Sequence, residues 1–451
     1  MESAVHPPFE TTSKRVIGLL HLAQLVGTRP LSFASVFLNI LERSRKVAYL
    51  ENRDISYKGW RIYSARDLYA VKEPVVIHKG LDNVYVKESR VCFIDGEASK
   101  LFYRGYSIEE LAEKSTFEET AYLLIYEHLP TRSQLDEFSK RIASYRSLEP
   151  VVLQLVRSFP ASSHPMDVLR TAVSALALYD PQPGADSTEA RIDKALRILG
   201  KAPALISAFH RVRNRKEPIH SQAGLTHAAD FLYMLTGKQP DLYDSHVMDV
   251  ALILHAEHEM NASTFACTVT ASTLADMYSI ITSGIGTLKG PLHGGANEAA
   301  LKTVLEVGDL SRAEAYVAEA IAEKRRIMGF GHRIYKTWDP RYMILKKIGA
   351  DLAPKKEMTK LLETALAIEA SALKHLAGTT IFPNVDSYSG VVFHMLGIPT
   401  DLFTPIFAMS RMAGWTAHAI EYLEGNRLIR PKALYVGKTG LPYVPIGSRG
   451  E

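Results

Sequence analysis

Beyond residue 107 the chain leaves alternation for a three- and four-residue apolar period, which it holds almost to its end. Segments 107–127, 164–179, 190–210, 223–237, 246–282, 311–327, 356–376 and 405–424 each line up apolar side chains on one helical face. A pattern of that period cannot serve a sheet, because its apolar set would fall on both faces of a strand. Residues 82–105 alternate around Gly96 instead and predict a small β-hairpin or meander. Strand-like alternation returns only in the tail, at 433–446. The predicted fold is therefore mainly α, with a minor β element near the start of the body.

At 451 residues the chain is long enough for two domains. Its 47% apolar and 23% charged composition excludes a disordered or collagen-like protein. Two cysteines, Cys92 and Cys267, exclude a disulfide scaffold or a Cys-built zinc module and predict two buried thiols. The net charge of +4 comes from residues 1–75, which hold 11 Lys/Arg and 7 Asp/Glu; the remainder holds 42 of each. A neutral body argues against a nucleic-acid surface. Within this extension the apolar runs 16–27 and 31–41 are separated by Arg29-Pro30 and are each too short to span a membrane. The extension has no assigned role, and catalysis is expected to need only residues 76–451.

Ionisable residues among glycines and prolines mark where chemistry is expected. Three junctions qualify: Lys289-Gly290-Pro291-Leu292-His293-Gly294-Gly295, Met328-Gly329-Phe330-Gly331-His332-Arg333 running on to Asp339-Pro340-Arg341, and Phe382-Pro383-Asn384-Val385-Asp386. Each alone reads equally as a helix cap; together they point to an acid–base site. In a fourth segment, Leu254–Asn261, His255 and His258 are three apart and are expected on one helical face. Its order H-A-E-H-E matches neither HExxH nor HxxEH, so no metal site is predicted. Gly329-Phe330-Gly331 lacks the third glycine and preceding strand of a dinucleotide site, and no Walker-type loop is present. Arg341, Arg411 and Arg430, in apolar or turn-rich surroundings, suit bidentate capture of carboxylates. Such a set suggests a small polycarboxylate substrate and enolisation chemistry.

The segments HAEHEMNAST, GPLHGGANEAA, MGFGHRIYKTWDPRY, FPNVDSYSG and FTPIFAMSRMAGW, in this order from about Leu81 to Val436, closely resemble citrate synthases of the shorter prokaryotic form. The resemblance implies a two-domain helical enzyme: a large domain formed by 76–295 and 401–451, and a small domain, 296–400, inserted in it. It implies condensation of acetyl-CoA with oxaloacetate, then hydrolysis of citryl-CoA, by a cytoplasmic homodimer that needs no cofactor, metal, nucleic acid or membrane. By the same resemblance Asp386 is the base, His293 the donor to the thioester oxygen and His332 the acid at the oxaloacetate carbonyl. His258, Arg341 and Arg411 are oxaloacetate ligands, joined by Arg430 from the other subunit. Ile327, Met328, Gly329, Phe330 and Gly331 would surround the CoA adenine, with Arg333 and Lys336 on the phosphates. A 2-methylcitrate synthase using propionyl-CoA would carry the same residues and stays open. A catalytically silent helical dimer would be expected to lack His293, His332 or Asp386, and all three are present.

Overall fold

The computed structural model describes residues 76–450 and, before them, only one antiparallel backbone pairing, β1 (Ser56–Tyr57) with β2 (Trp60–Arg61). The rest of the N-terminal extension, including the runs 16–27 and 31–41, lies outside the described residues. The chain divides into two compact units, Met1–Val84 with Leu434–Glu451, and Tyr85–Ala433. The alternating tail at 433–446, all but its first residue in the first unit, forms no strand. Its backbone only turns, with one 3-10 segment at Ile446–Ser448, and its side chains are exposed. Alternation makes a ribbon two-faced, but a strand also needs a paired edge and a face to bury.

The second unit opens with the predicted meander: β3 (Cys92–Asp95), β4 (Lys100–Tyr103) and β5 (Tyr106–Ser107), antiparallel in that order. Leu101 and Tyr103 point from β4 into the core, both fully buried. Helices follow. The expected 107–127 helix is two, α1 (Ile108–Lys114) and α2 (Phe117–Tyr126), because Thr116 accepts a hydrogen bond from Glu119 N and starts a new helix. Next come α3 (Arg132–Ser144) and α4 (Pro150–Ser158), which the apolar period did not reveal. Both had local signals, a Thr131–Gln134 capping box and a proline at the first helical position. Then follow α5 (Pro165–Leu176), α6 (Thr188–Arg213), α7 (His227–Thr236) and α8 (Leu242–His255).

The run 246–282 is not one helix. It breaks between α8 and α9 (Ala262–Ser272), and again before α10 (Met277–Leu288). At the first break the Tyr103 hydroxyl donates to Glu257 O at 2.8 Å, accepts from Glu257 N at 3.2 Å, and lies 3.3 Å from Ile253 O. That hydroxyl takes the place of the next helical turn. His255 and His258 therefore do not share a helical face.

The remaining helices are α11 (Ala296–Val307), α12 (Ala313–Ala322), α13 (Pro340–Leu352), α14 (Thr359–His375), α15 (Asp386–Met395) and α16 (Phe403–Glu424). From Phe403 to Ile420 every residue of α16 is buried, and the helix packs on α2, α6, α8, α9 and α10. A helix apolar all round is a core helix, so the polar residues it does carry stand out. They are Thr404, Ser410, Arg411, Thr416 and His418. Both cysteines are free thiols; Cys267 is buried and Cys92 half-buried on β3.

Candidate active site

His258 sits in the loop that Tyr103 pins, followed by Asn261, whose side chain caps α9 through Ser263 N and Thr264 N. Its ring meets His332 edge-on at 5.1 Å between centroids and Tyr335 at 5.7 Å. Burial, helped by Arg341 and His332, holds the His258 pKa well below the usual imidazole value. His332 lies in the glycine-rich turn before α13. Its Nδ1 accepts from Ile334 N at 3.0 Å and Tyr335 N at 3.1 Å. Backbone N–H groups can only donate, so the ring proton stands on Nε2. Burial, the dominant influence, brings the His332 pKa to about 4, so the ring is a neutral donor at pH 7.

Asp339 organises the next stretch. It caps α13, with Pro340 at the first helical position, and takes Arg341 bidentately through Nε at 3.0 Å and Nη2 at 2.8 Å. Both residues are buried. Burial alone would raise the Asp339 pKa, but Arg341 outweighs it and holds the carboxylate ionised. Asp339 Oδ2 also accepts from Val385 N at 3.1 Å, and so fixes the residue next to Asp386. Asp386 begins α15, its N–H held by Asn384 Oδ1 at 2.9 Å. No hydrogen bond to its carboxylate oxygens is present among the described residues. Burial pushes its pKa to about 6, against the pull of Arg341. The result is an unencumbered carboxylate, ionised at neutral pH and more basic than an ordinary one.

Arg411, on α16, is buried; its Nε donates to His255 O at 2.7 Å and its guanidinium lies 4.7 Å from the Phe407 ring. His255 itself turns away: Nδ1 donates to Ala251 O at 2.7 Å inside α8. His293 stands in the turn after α10, held by His293 N to Gly290 O at 2.9 Å. Its Nε2 accepts from Ser263 N at 3.2 Å, leaving the proton on Nδ1. Ser263 Oγ lies 2.9 Å from the same nitrogen and takes a hydrogen bond from Trp415 Nε1 at 3.2 Å. Burial, then Arg411, lowers the His293 pKa to about 4.

The turn 327–331 is clasped to the Asp386 loop. Gly331 N donates to Phe382 O at 2.8 Å, Asn384 N to Gly329 O at 2.9 Å and Asn384 Nδ2 to Gly331 O at 2.8 Å, with Phe330 bridging Pro383. Gly329 has φ +83°, and a Cβ there would lie 2.8 Å from Ser387 Oγ, so only glycine allows the approach. Ile327, Met328 and Phe330 are half-buried around it; Arg333 and Lys336 are exposed. Arg430 stands apart, exposed on the segment after α16. The reading of the sequence missed Ser263, Tyr335 and Trp415, and placed Asp339 and Asn384 in candidate junctions without giving them a role. Asp339-Pro340 was a legible cap signal; Ser263 and Trp415 meet only in three dimensions.

An unencumbered carboxylate, neutral imidazole donors and buried guanidiniums on a helical frame are the groups that acid–base chemistry on an anionic substrate requires. The family described as Citrate synthase, C-terminal domain, matches residues 80–432. A citrate synthase of Synechocystis is 44% identical over 381 residues, 84% of this chain and 96% of its own. A citrate/2-methylcitrate synthase of Bacillus subtilis is 41% identical over 79% of this chain and 96% of its own. Among solved structures, the Pyrobaculum aerophilum citrate synthase superposes with a TM-score of 0.79 at 42% identity, covering 83% of this chain and 95% of its own. The Thermoplasma acidophilum citrate synthase, solved as a ternary complex with carboxymethyl coenzyme A and oxaloacetate, gives a TM-score of 0.79 at 37% identity, covering 83% of this chain and 100% of its own. The chain belongs to the citrate synthase family. No helix among the described residues is long and apolar enough to cross a membrane.

Proposed function

We propose that this chain condenses acetyl-CoA with oxaloacetate and hydrolyses the resulting citryl-CoA to citrate and CoA. The observation that carries the reading is the unencumbered Asp386 carboxylate, with a pKa near 6, beside the Arg341–Asp339 pair. Asp386 takes a methyl proton from acetyl-CoA while His293 Nδ1–H donates to the thioester oxygen, where charge develops. The enol carbon attacks the ketone of oxaloacetate, and its oxygen takes the His332 Nε2 proton. Water then cleaves the thioester. Arg341, Arg411 and His258 hold the oxaloacetate carboxylates and ketone. The 327–331 turn, with Arg333 and Lys336, receives the nucleotide end of CoA.

Residues 296–400 act as a small domain. Arg341 belongs to it and Arg411 does not, so a dicarboxylate bridging the two draws the domains together and shuts out water. The working form is a cytoplasmic homodimer, with Arg430 serving the partner's site, and no cofactor is needed. Asp386→Asn is the test: it fills the same space but cannot take the proton. Oxaloacetate affinity by calorimetry should be nearly unchanged while kcat falls by roughly 10³. A variant keeping more than about a tenth of kcat, a loss of only ~1.4 kcal/mol, would mean the base lies elsewhere. A second reading, propionyl-CoA as substrate, is favoured by the likeness to a relative named for both reactions. One methylene is worth only about 1–3 kcal/mol, so kcat/KM with both thioesters decides between them.

A further inference from the structure

Immediately before His258 lies a fully buried acid that the chemistry above does not use. Glu257 accepts through Oε1 from His418 Nε2 at 2.9 Å, and its Oε2 has no hydrogen-bond partner among the described residues. Its seat is a notch in α16: a Cβ on Gly414 would lie 2.1 Å from Oε2 and 2.4 Å from Ala256 O. Arg411, Gly414, Trp415 and His418 are spaced i, i+3, i+4 and i+7, so they share one face of α16. That face receives the 255–258 loop at three points: Arg411 Nε on His255 O, Gly414 under Glu257, and His418 on its carboxylate.

We propose that Glu257 is a positioning residue, the fixed counter-charge that holds the Arg411 guanidinium and the His258 loop ready for oxaloacetate. It rests on the reading that Arg411 and His258 bind that substrate. Burial works against the charge on Arg411, and Glu257 is the foremost group restoring it. An isolated buried charge is costly, so the acid is retained where a buried arginine must stay ionised with its terminal nitrogens open to a ligand.

Glu257→Gln keeps the shape and the His418 hydrogen bond and removes only the charge. The expected result is a KM for oxaloacetate raised roughly tenfold or more, with kcat and the KM for acetyl-CoA within about threefold of wild type. The melting temperature should fall, because the Arg411 charge is left buried without its counter-charge. Glu257→Asp should bring the KM for oxaloacetate back toward wild type. An unchanged KM for oxaloacetate in Glu257→Gln overturns the proposal, as does a loss of kcat together with raised KM values for both substrates, the mark of a merely structural role. If Glu257→Gln does not fold, Glu257→Met, which also removes the charge at similar length, carries the same comparison: a raised KM for oxaloacetate alone supports the proposal, and an unchanged one overturns it. Arg411→Gln separates the two levels. A wild-type KM for oxaloacetate there would overturn the substrate reading itself, whereas a raised value there beside an unchanged one in Glu257→Gln overturns only the role of Glu257.

Discussion

Lowering the pH should switch the enzyme off through one group. Asp386 titrates near pH 6, while burial keeps His293 and His332 near 4 and therefore neutral above pH 5. A base must be ionised to act, so activity rises with pH through the Asp386 pKa. With a pKa of 6, about 99% of the carboxylate is ionised at pH 8 and roughly one part in eleven at pH 5, an expected loss of about tenfold. Arg341 and Arg411 both pull the Asp386 pKa down, and oxaloacetate bound as proposed would cancel their charges. The midpoint in that complex should then lie at or above 6, and the loss should be at least as large. The assay is release of the CoA thiol between pH 5 and 9 at saturating oxaloacetate, fitted as kcat/KM for acetyl-CoA. A profile flat down to pH 5, or one rising from pH 8 to 6 as an imidazolium forms, would refute the assignment.

Ser263→Ala removes the hydroxyl between His293 and Trp415, and kcat should fall about ten- to a hundredfold with the KM for oxaloacetate little changed. Asp249, a buried acid pushed to about 8 by burial and Glu118, holds a proton that the unfolded chain gives up near pH 4. Stability should therefore fall as pH rises from about 4 to 8, by on the order of 1 kcal/mol per unit. Asp249→Asn should melt higher than wild type at pH 8 and alike at pH 4; equal melting at pH 8 would refute the linkage. Mixing Arg430→Ala with Asp386→Asn subunits should regain activity in hybrid dimers, whereas no recovery after confirmed exchange would remove Arg430 from the partner's site.

Much of the helical body was legible because amphipathic helices declare themselves locally. α5, α6, α7, α14 and α16 fall where the apolar period put them. The period fails where distant residues decide. Nothing near Ala256 stops α8; the stop is a tyrosine hydroxyl about 150 residues earlier. The 433–446 alternation fails for the converse reason, lacking any paired edge. At the site, glycines and prolines betrayed the turns carrying His293, His332 and Asp386, since tight turns restrict which residues fit. Ser263 and Trp415, which meet beside His293, are ordinary residues in ordinary contexts. Only the fold gives them a task.

The clasp between the 327–331 turn and the 382–387 loop makes the two segments one mechanical piece. A ligand that grips the first therefore also sets the stance of the carboxylate on the second. The nucleotide of CoA, far from the reacting methyl, would act as a handle whose grip is converted into alignment rather than mere adhesion. A thioester trimmed to its pantetheine arm would then react slowly even at saturation, because the handle is gone and the carboxylate is left to find its own angle.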